Sequence, residues 1–383
     1  MRIEEKAFRF AQTAPGRQGG AGVGWCIAAF AIAACWALVG GEASGQPTTQ
    51  PSTRRAAGPV ASHVIHLSVD GLRPDAILAL GPADATNFYR LRREGAFTHN
   101  ARTDADWTIT APNHTTQLTG HRVEGDEGHR WIGNDAVDAE HTLHVNRGQY
   151  LASVFDVAHD RGLRTAALVG KGKLAIYRDS YDGVHGAPDL VGQDDGRDKI
   201  DHAVVRGPAA EVAAALAELW DDEGLPHYTF IHFRDPDVAG HAEAWSIEPG
   251  SAYLAAVREV DAQLGVILRR LDADPQLAAR TTLIVTADHG GVLGSRGHGD
   301  AADAGDYTIP FYVWGAGVAA GDLYAMNPAS RRDPAQGRPG YDDVPQPIRN
   351  GDAANLALDL LGLRAVPGST INARQDLAVT AER

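Results

Sequence analysis

Three short, largely apolar runs of this chain are each followed closely by an aspartate, and this pattern most constrains its fold. The runs comprise residues 64–69, 228–233 and 283–285. The three aspartates are Asp70, Asp237 and Asp288. Apolar, β-branched runs of this length are typical of strands buried in a parallel sheet. Because open α/β sheets place their ligand sites at the carboxyl ends of parallel strands, we expect the carboxylates to converge there.

Three histidines accompany the aspartates. They are His241, His289 and His298. Carboxylates and imidazoles are ligands that suit zinc or manganese. A cysteine site is excluded from the rest of the chain, because both cysteines, Cys26 and Cys35, lie near its beginning. Six candidate ligands make two sets of three, as a two-metal site requires, so we expect two divalent, zinc-like ions.

Helical and extended patterns alternate along the chain. Pro74 stands at the start of a predicted helix, since proline suits a first turn. Further helices are predicted over residues 86–94, 151–161, 209–220, 251–271 and 352–361, and further strands over residues 165–169 and 308–314. Residues 178–202 are polar and predict a surface excursion. The alternation favours an α/β fold in which a central, mostly parallel sheet is sandwiched by helices.

Thr110 lies two residues before Pro112, where another helix is predicted to begin. One interpretation is that Thr110 only caps this helix. The other is that its hydroxyl faces an anion site formed by the helix N-terminus. The sequence pattern leaves both open.

The charge of the chain limits its partners. The 383 residues carry a formal charge of −14 at pH 7. No basic field exists to hold a series of phosphates, so a nucleic-acid polymer is not expected as the main partner. A small phosphorylated substrate remains compatible, because bound dications dominate the field inside a site.

The N-terminal region has the pattern of an export signal. Basic residues are followed by an apolar, uncharged run over residues 21–40. We expect residues 1–43 to be a signal peptide or a membrane anchor. We expect residues 44–61 to be a flexible linker and residues 62–383 to form the folded catalytic domain. The protein is therefore expected to be periplasmic or extracellular, with membrane anchoring through this segment left open.

Several of these motifs resemble those of the alkaline phosphatase superfamily, in its type I phosphodiesterase and nucleotide pyrophosphatase branch. Residues 236–241, Pro-Asp-Val-Ala-Gly-His, match one family motif in full, and residues 288–290, Asp-His-Gly, match another. Residues 110–114, Thr-Ala-Pro-Asn-His, resemble the motif that carries the family's nucleophile. His129 and Asn134 resemble its phosphate pocket. The resemblance implies an alkaline phosphatase-like three-layer fold.

The resemblance also implies a role for each residue. It implies a metal-dependent hydrolase of phosphate esters, in which Thr110 attacks the substrate and becomes phospho-threonine. One metal would be held by Asp70, Asp288, His289 and the Thr110 alkoxide. The other would be held by Asp237, His241 and His298. Asn134 and the backbone amide of Ala111 would stabilise the phosphate oxygens.

One position departs from the nucleotide pyrophosphatases. Their last metal-binding histidine lies close to the C-terminus, whereas residues 367–372 of this chain contain none. We assign that role to His298, which follows His289 closely, and the departure weakens the case for a nucleotide substrate.

Three other functions are considered. A phosphomonoesterase would need extra cationic groups, for which only Lys171, Lys173 or Arg130 could serve; lysines in such a glycine-rich turn are more often simply solvated. A sulfatase would need a cysteine or serine where Thr110 stands. A metal-binding surface module without activity would not need the hydroxyl of Thr110.

Overall fold

The computed structural model describes residues 59–192, 196–300 and 302–380. The predicted signal or anchor segment, both cysteines and the predicted linker up to residue 58 lie outside these described residues. Within them, no helix is both long enough and apolar enough to cross a membrane.

Eight strands form one sheet in the described part of the chain. The strands are β1 (His63–Val69), β2 (Ala96–Arg102), β3 (Thr165–Val169), β4 (His202–Val205), β5 (Tyr228–Phe233), β6 (Thr281–Thr286), β7 (Thr308–Gly315) and β8 (Gly321–Asp322). Their order across the sheet is β4-β3-β5-β1-β6-β7-β2-β8. Only β7 is antiparallel to its neighbours, β6 and β2; the other neighbouring pairs are parallel. The mostly parallel sheet is thus confirmed.

Helices connect these strands. They are α1 (Pro74–Asp84), α2 (Thr86–Glu94), α3 (Thr110–Thr119), α4 (Leu143–Arg147), α5 (Val154–His159), α6 (Ala175–Ser180), α7 (Ala209–Glu223), α8 (Asp235–Glu243), α9 (Ala252–Ala273), α10 (Pro275–Ala278), α11 (Ala304–Tyr307), α12 (Leu323–Met326) and α13 (Asp352–Leu360), with a 3₁₀ turn over Gly172–Leu174. One set, α3, α5 and α13, packs together and against β1 and β6. A second set, in which α9 contacts α1, α2, α7, α8 and α10, packs together separately. The sheet between two helical sets is the expected three-layer fold.

The central strands carry the core. β1, β5 and β6 are buried along nearly their whole length, because each has neighbours on both edges and side chains packed on both faces. Apolar side chains of α9, such as Leu264 and Leu268, are fully buried. A sheet buried on both faces gives the continuous apolar runs seen in the sequence.

The structure differs from the sequence-based expectations at four places. Asp237 does not end a strand: β5 ends at Phe233, and Asp237 lies in the first turn of α8. Thr110 is the first residue of α3 rather than its cap. Residues 178–202 are not only a surface excursion, since α6 reaches Ser180 and the edge strand β4 begins at His202. β2, in which polar and apolar residues mix around a bulge, was not predicted.

Candidate active site

The carboxyl ends of four adjacent parallel strands supply most of the site. In the order of the sheet, Lys171 follows β3, Asp237 follows β5, Asp70 follows β1, and Asp288 with His289 follow β6. The backbone ties these ends together: the Asp237 N–H donates to the Asp70 carbonyl at 3.1 Å. Adjacent strand ends lie close in space, which is why residues more than 200 positions apart in the chain meet here.

Asp70, Asp288 and His289 form a fully buried group, which we call the inner group. His289 Nε2 lies 3.2 Å from Asp288 Oδ2 and 3.4 Å from Asp70 Oδ1. The Gly71 N–H donates to Asp288 Oδ1 at 3.0 Å. This bond ties the Asp288 carboxylate to the end of β1, where Asp70 stands. The three ligand atoms are close enough to share one ion.

Asp237, His241 and His298 form a second group, which we call the outer group. His241 Nε2 lies 3.3 Å and His298 Nε2 3.7 Å from Asp237 Oδ1. Asp237 and His241 stand one turn apart on α8, while His298 comes from the loop after β6. The side chain of His241 is 46% exposed, so this group opens to solvent.

All three histidines present the same ring nitrogen to the site. The Nδ1 atoms of His241, His289 and His298 donate to the carbonyls of Arg296, Gly290 and Thr108, at 2.6, 2.9 and 2.7 Å. A carbonyl only accepts, so Nδ1 carries the proton and Nε2 keeps its lone pair. Backbone carbonyls orient metal-binding histidines in this way.

Three buried carboxylate oxygens support a fit to metal ions. Asp70 Oδ1, Asp237 Oδ1 and Asp288 Oδ2 have no hydrogen-bond partner among the described residues. Burying an unpaired carboxylate oxygen is costly, and a cation removes that cost. Each of these oxygens lies beside a histidine Nε2 atom, and mixed carboxylate and imidazole donors suit zinc.

Electrostatics differ among the site carboxylates. Burial favours the neutral form of Asp70, but Lys171 and His232 outweigh it and hold its pKa well below the usual range. Burial and the charge of Asp70 raise the pKa of Asp288 well above its usual range. Burial and the neighbouring His298 lower the pKa of His289 to about 3, so its imidazole is neutral. A neutral imidazole is the form that binds metal.

A second layer of polar residues lies beneath the inner group. His232 Nε2 contacts Asp70 Oδ2 at 2.9 Å. His114 on α3 contacts Ser68 Oγ at 2.9 Å and the Thr110 carbonyl at 2.8 Å. These buried contacts join β1, β5 and α3, and they hold the carboxylate of Asp70 and the start of α3 in fixed positions.

Trp245 is the site residue that sequence reasoning missed most clearly. Its fully buried ring packs against three glycines, where an added Cβ would lie 2.7, 2.3 and 2.1 Å from ring atoms. The glycines are Gly71, Gly240 and Gly291. Each stands within three residues of a candidate metal ligand, so the tryptophan aligns three motifs at once. The glycines beside these motifs were the available signal.

Thr110 lies beside the inner group. Its Oγ1 atom is 3.4 Å from His289 Nε2, and the residue is buried. Ile109 occupies the cap position of α3 and makes no side-chain cap bond, so the capping interpretation of Thr110 is wrong. All ten residues of α3 are buried. The hydroxyls of Thr115, Thr116 and Thr119 are hydrogen-bonded inside the protein, which makes α3 a rigid support for the Thr110 hydroxyl.

Asn134 and the amide of Ala111 contact each other. The Ala111 N–H donates to Asn134 Oδ1 at 3.1 Å. From the sequence we expected both groups to contact the phosphate oxygens, whereas in the structure the Ala111 N–H already donates to Asn134. Because Oδ1 accepts this bond, the amide nitrogen of Asn134 is the group that remains to donate. His129 is buried and bonded to Thr116 at 3.0 Å, a structural role.

The fold and this group of residues define an alkaline phosphatase-like α/β protein with candidate metal clusters. The family model for type I phosphodiesterase / nucleotide pyrophosphatase matches residues 64–353. The chain therefore belongs to that family, and the resemblance drawn from the motifs is confirmed. A comparison with curated protein sequences gives no match.

Solved structures with the same fold include phosphodiesterases and sulfatases. An inactive variant of murine ectonucleotide pyrophosphatase / phosphodiesterase 5, in complex with AMP, is 16% identical, with a TM-score of 0.56 over 82% of this chain and 99% of that one. A Bacteroides thetaiotaomicron sulfatase is 14% identical, with a TM-score of 0.54 over 84% and 78%. An alkaline phosphatase superfamily protein from Vibrio parahaemolyticus is 13% identical, with a TM-score of 0.51 over 82% and 69%. At these identities the likeness shows the fold alone.

Proposed function

We propose that this protein is an exported, metal-dependent hydrolase of phosphate esters, with the phosphodiesterase and nucleotide pyrophosphatase reaction of its family. Thr110 is the covalent nucleophile. The observation that carries the proposal is the position of Thr110 Oγ1, beside the inner group and at the start of a buried helix. A surface module that only binds metal has no use for a buried hydroxyl held there.

The inner and outer groups would each hold one divalent ion, and their carboxylate and imidazole donors suit zinc. Such a pair of ions, when bound, stabilises the negative charge that develops on the attacking and leaving oxygens. His241, His289 and His298 present Nε2 lone pairs for this purpose, and the unpaired oxygens of Asp70, Asp237 and Asp288 complete the two sets.

The chain itself supplies the nucleophile and its positioning. The Thr110 hydroxyl gives its proton to water, and a bond forms between Oγ1 and phosphorus as the bond to the leaving oxygen breaks. The leaving oxygen then takes up a proton from water. Water then attacks the phospho-threonine, the Oγ1–phosphorus bond breaks, and the hydroxyl is restored. Both steps need phosphorus in line with Oγ1, which the buried contacts of α3 hold in place.

Two further groups of the chain favour a bound phosphate. The N-terminus of α3 places its positive partial charge under Thr110. The Asn134 amide nitrogen can donate to a phosphate oxygen, because Ala111 holds the opposite end of that amide. Export follows from the basic and apolar N-terminal pattern, and a nucleotide substrate is supported only by the family and by the AMP bound to the murine relative.

The decisive experiment replaces Thr110 in the metal-loaded protein. Thr110→Ala should lower turnover of phosphate esters by about 10³-fold or more, with metal content retained, because the covalent step is lost. Thr110→Ser should keep part of the activity. Mass spectrometry of quenched turnover should find phosphate on the peptide that contains Thr110. Thr110→Ala turning over at the parent rate would exclude the mechanism.

A further inference from the structure

A cavity of about 620 Å³ lies at the opposite end of α3 from Thr110. Its walls come from the turn after α3 and from residues within 329–331, 341–352 and 370–376, and none of the six candidate metal ligands contributes to them. The N–H groups of Thr370 and Ile371 donate to the carbonyl of Gly120, which caps the C-terminus of α3. Because a helix rises about 1.5 Å per residue, this end of α3 is about 15 Å from Thr110. The cavity is therefore separate from the candidate active site.

Two residues in the wall of this cavity have buried donors without a hydrogen-bond partner among the described residues. The donors are Asn372 Nδ2 and Arg122 Nε. Asn372 is only 8% exposed, and its Oδ1 atom accepts from Arg331 Nη2 at 3.0 Å and from the N–H groups of Asp376 and Leu377. These three donors identify Oδ1 as the oxygen, so Nδ2 is the atom left unsatisfied. A buried donor without an acceptor is costly, and an acceptor on a ligand removes that cost.

Two guanidinium groups of the wall contact the same aromatic ring. Arg349 Cζ lies 4.6 Å and Arg122 Cζ 5.6 Å from the centre of the Tyr341 ring. The side chain of Arg349 donates only to neutral acceptors, which are two backbone carbonyls and the side chain of Gln346. Within the described part of the chain, the Arg122 guanidinium has no hydrogen bond and neither arginine pairs with a carboxylate. Positive charge is thus concentrated on this side of the cavity.

A third arginine of the wall is already neutralised. Arg331 Nη2 lies 2.8 Å from Asp352 Oδ1, and Arg331 Nη1 lies 2.8 Å from Asp376 Oδ1. Both contacts are also hydrogen bonds, and the Arg331 side chain is buried. This ion-paired group forms a fixed part of the wall, and it orients Asn372 through the bond to its Oδ1 atom. A ligand is therefore expected to meet Arg122 and Asn372 rather than Arg331.

The remaining charges of the wall indicate the class of ligand. Arg122, Arg349 and the exposed Arg374 have no carboxylate partner among the described residues, and the exposed Glu127 and Asp342 have no cationic one. Three positive charges against two negative charges leave one positive charge, which a singly charged anion balances and a polyphosphate exceeds. The planar fork of an arginine matches a carboxylate in geometry. The carboxylates of Glu127 and Asp342 can accept from hydroxyl groups of the same ligand.

We propose that this cavity is a second ligand site, which binds a small hydroxylated monocarboxylate of the sugar-acid class. Arg122 pairs with the carboxylate of the ligand, and Asn372 Nδ2 donates to one of its oxygens. The cavity volume is within the range of small-molecule sites, and the buried side chain of Ile371 gives the ligand an apolar contact. The site goes beyond the proposed function, because its ligand is neither the phosphate ester nor a metal ion.

The test is titration calorimetry of the metal-loaded protein with glucuronate, and with glucose as the matched sugar without a carboxylate. Glucuronate should bind with a dissociation constant of about 1 mM or below, and glucose at least about 10-fold more weakly. Arg122→Gln should weaken glucuronate binding by about 10-fold or more, since a charge-assisted pair is lost. The Arg122 guanidinium makes no hydrogen bond among the described residues, so this variant is expected to fold.

A second variant tests the unsatisfied amide. Asn372→Asp keeps an oxygen that can accept the three existing bonds, but it replaces the Nδ2 donor with an oxygen that repels a carboxylate. Glucuronate should therefore bind at least about 10-fold more weakly, whereas glucose binding should change less. The control is Arg93→Gln, which removes one positive charge from an exposed side chain of α2 and should bind glucuronate as the parent does.

Three results would overturn the proposal. Glucuronate that does not bind, or binds no better than glucose, would mean that the cavity holds water only. Parent affinity in Arg122→Gln and Asn372→Asp, or displacement of glucuronate by saturating inorganic phosphate, would place the carboxylate at the candidate metal groups instead. The outcome does not depend on the proposed function, because Thr110→Ala should bind glucuronate as the parent does whether or not Thr110 is the nucleophile.

Discussion

The inner and outer groups contain similar donors but are built differently. Both residues after β6 in the inner group are fully buried and fixed by strand ends, backbone amides and the polar layer that includes His232. The outer group stands on one turn of α8 and on a loop, and His241 is half exposed. The inner group is thus formed by the sheet itself, whereas the outer group depends on how a helix and a loop pack beside it.

The difference in burial suggests different roles for the two groups in the proposed reaction. Thr110 is buried and lies beside the inner group. The outer group opens to solvent, so under the proposed mechanism substrate and the water of the second step would reach the site from that side. The proposed two-step displacement requires a rigidly held nucleophile on one side and an accessible substrate position on the other. The following predictions test this division.

The largest effect is expected from the inner group. Asp288→Asn removes a buried charge beside His289 and should lower kcat/KM by about 10³-fold or more, because several kcal/mol of charge stabilisation are lost with the ion. Elemental analysis should show the loss of one ion, and added zinc should not restore activity. Asp126→Asn, at an exposed aspartate, is the matched control. Full activity in Asp288→Asn would contradict the assignment.

The outer group should be more tolerant. His241→Ala removes an exposed ligand from α8, and we expect a loss of about 10²-fold, because Asp237 and His298 remain in place. Millimolar zinc should recover part of the activity, since a weakened open site refills by mass action. Kinetics at increasing zinc concentration measure this. Equal losses in His241→Ala and Asp288→Asn, with no recovery in either, would remove the distinction between the groups.

The packing that joins the two groups should be sensitive to one methyl group. In Gly291→Ala the new Cβ would lie 2.1 Å from the ring of Trp245, so the ring or the backbone must move. We expect the free energy of unfolding to fall by about 2–3 kcal/mol. Denaturant unfolding compares it with Gly183→Ala, where an added Cβ meets nothing within 4 Å. Equal stability of the two variants would show that Trp245 adjusts freely.

The last prediction concerns acid and the buried layer below the inner group. Burial lowers the pKa of His66 to about 3, while the unfolded chain keeps a pKa of about 6.5. Between these values the unfolded chain binds a proton that the folded chain does not. Stability is therefore fully present above pH 6.5 and is lost as pH falls, by up to about 1.4 kcal/mol per pH unit for this histidine.

The measurement is the slope of unfolding free energy against pH in the metal-free protein, between pH 6.5 and 4.5. His66→Gln keeps a side chain that can bond to Tyr228 or Gln117 and should reduce that slope. An unchanged slope in His66→Gln would mean that His66 does not contribute to acid sensitivity, and that the buried layer is not neutral as described.

Much of this fold could be predicted from the pattern of apolar strands in the sequence. β3, β5 and α2 begin and end at the predicted residues, and the bounds of β1 and β6 differ only slightly, because central strands buried on both faces leave continuous apolar runs. Two strands outside the centre of the sheet were predicted less well. β4 is only half-buried and β2 mixes polar with apolar residues, so neither leaves that pattern.

The sequence by itself determined which residues meet. Strand ends marked by Asp70, Asp288 and the turn after β5 had to converge, because parallel strands share one edge, and the spacing of Asp237 and His241 is one helical turn. The two groups of candidate ligands brought together by the structure are the same two sets that the resemblance to the family implied. Whether they hold zinc remains a prediction.

Only the tertiary structure decided how these residues are held. Lys171 looked like a solvated lysine in a glycine-rich turn until β3 was found beside β5, which in turn pairs with β1; this order places the Lys171 ammonium between Asp70 and Asp237. Trp245 gave no signal of its own, because its partners are three glycines from three separate segments. Local sequence sets periodicity and turn chemistry, whereas contacts between distant segments depend on strand order and packing, which no single segment encodes.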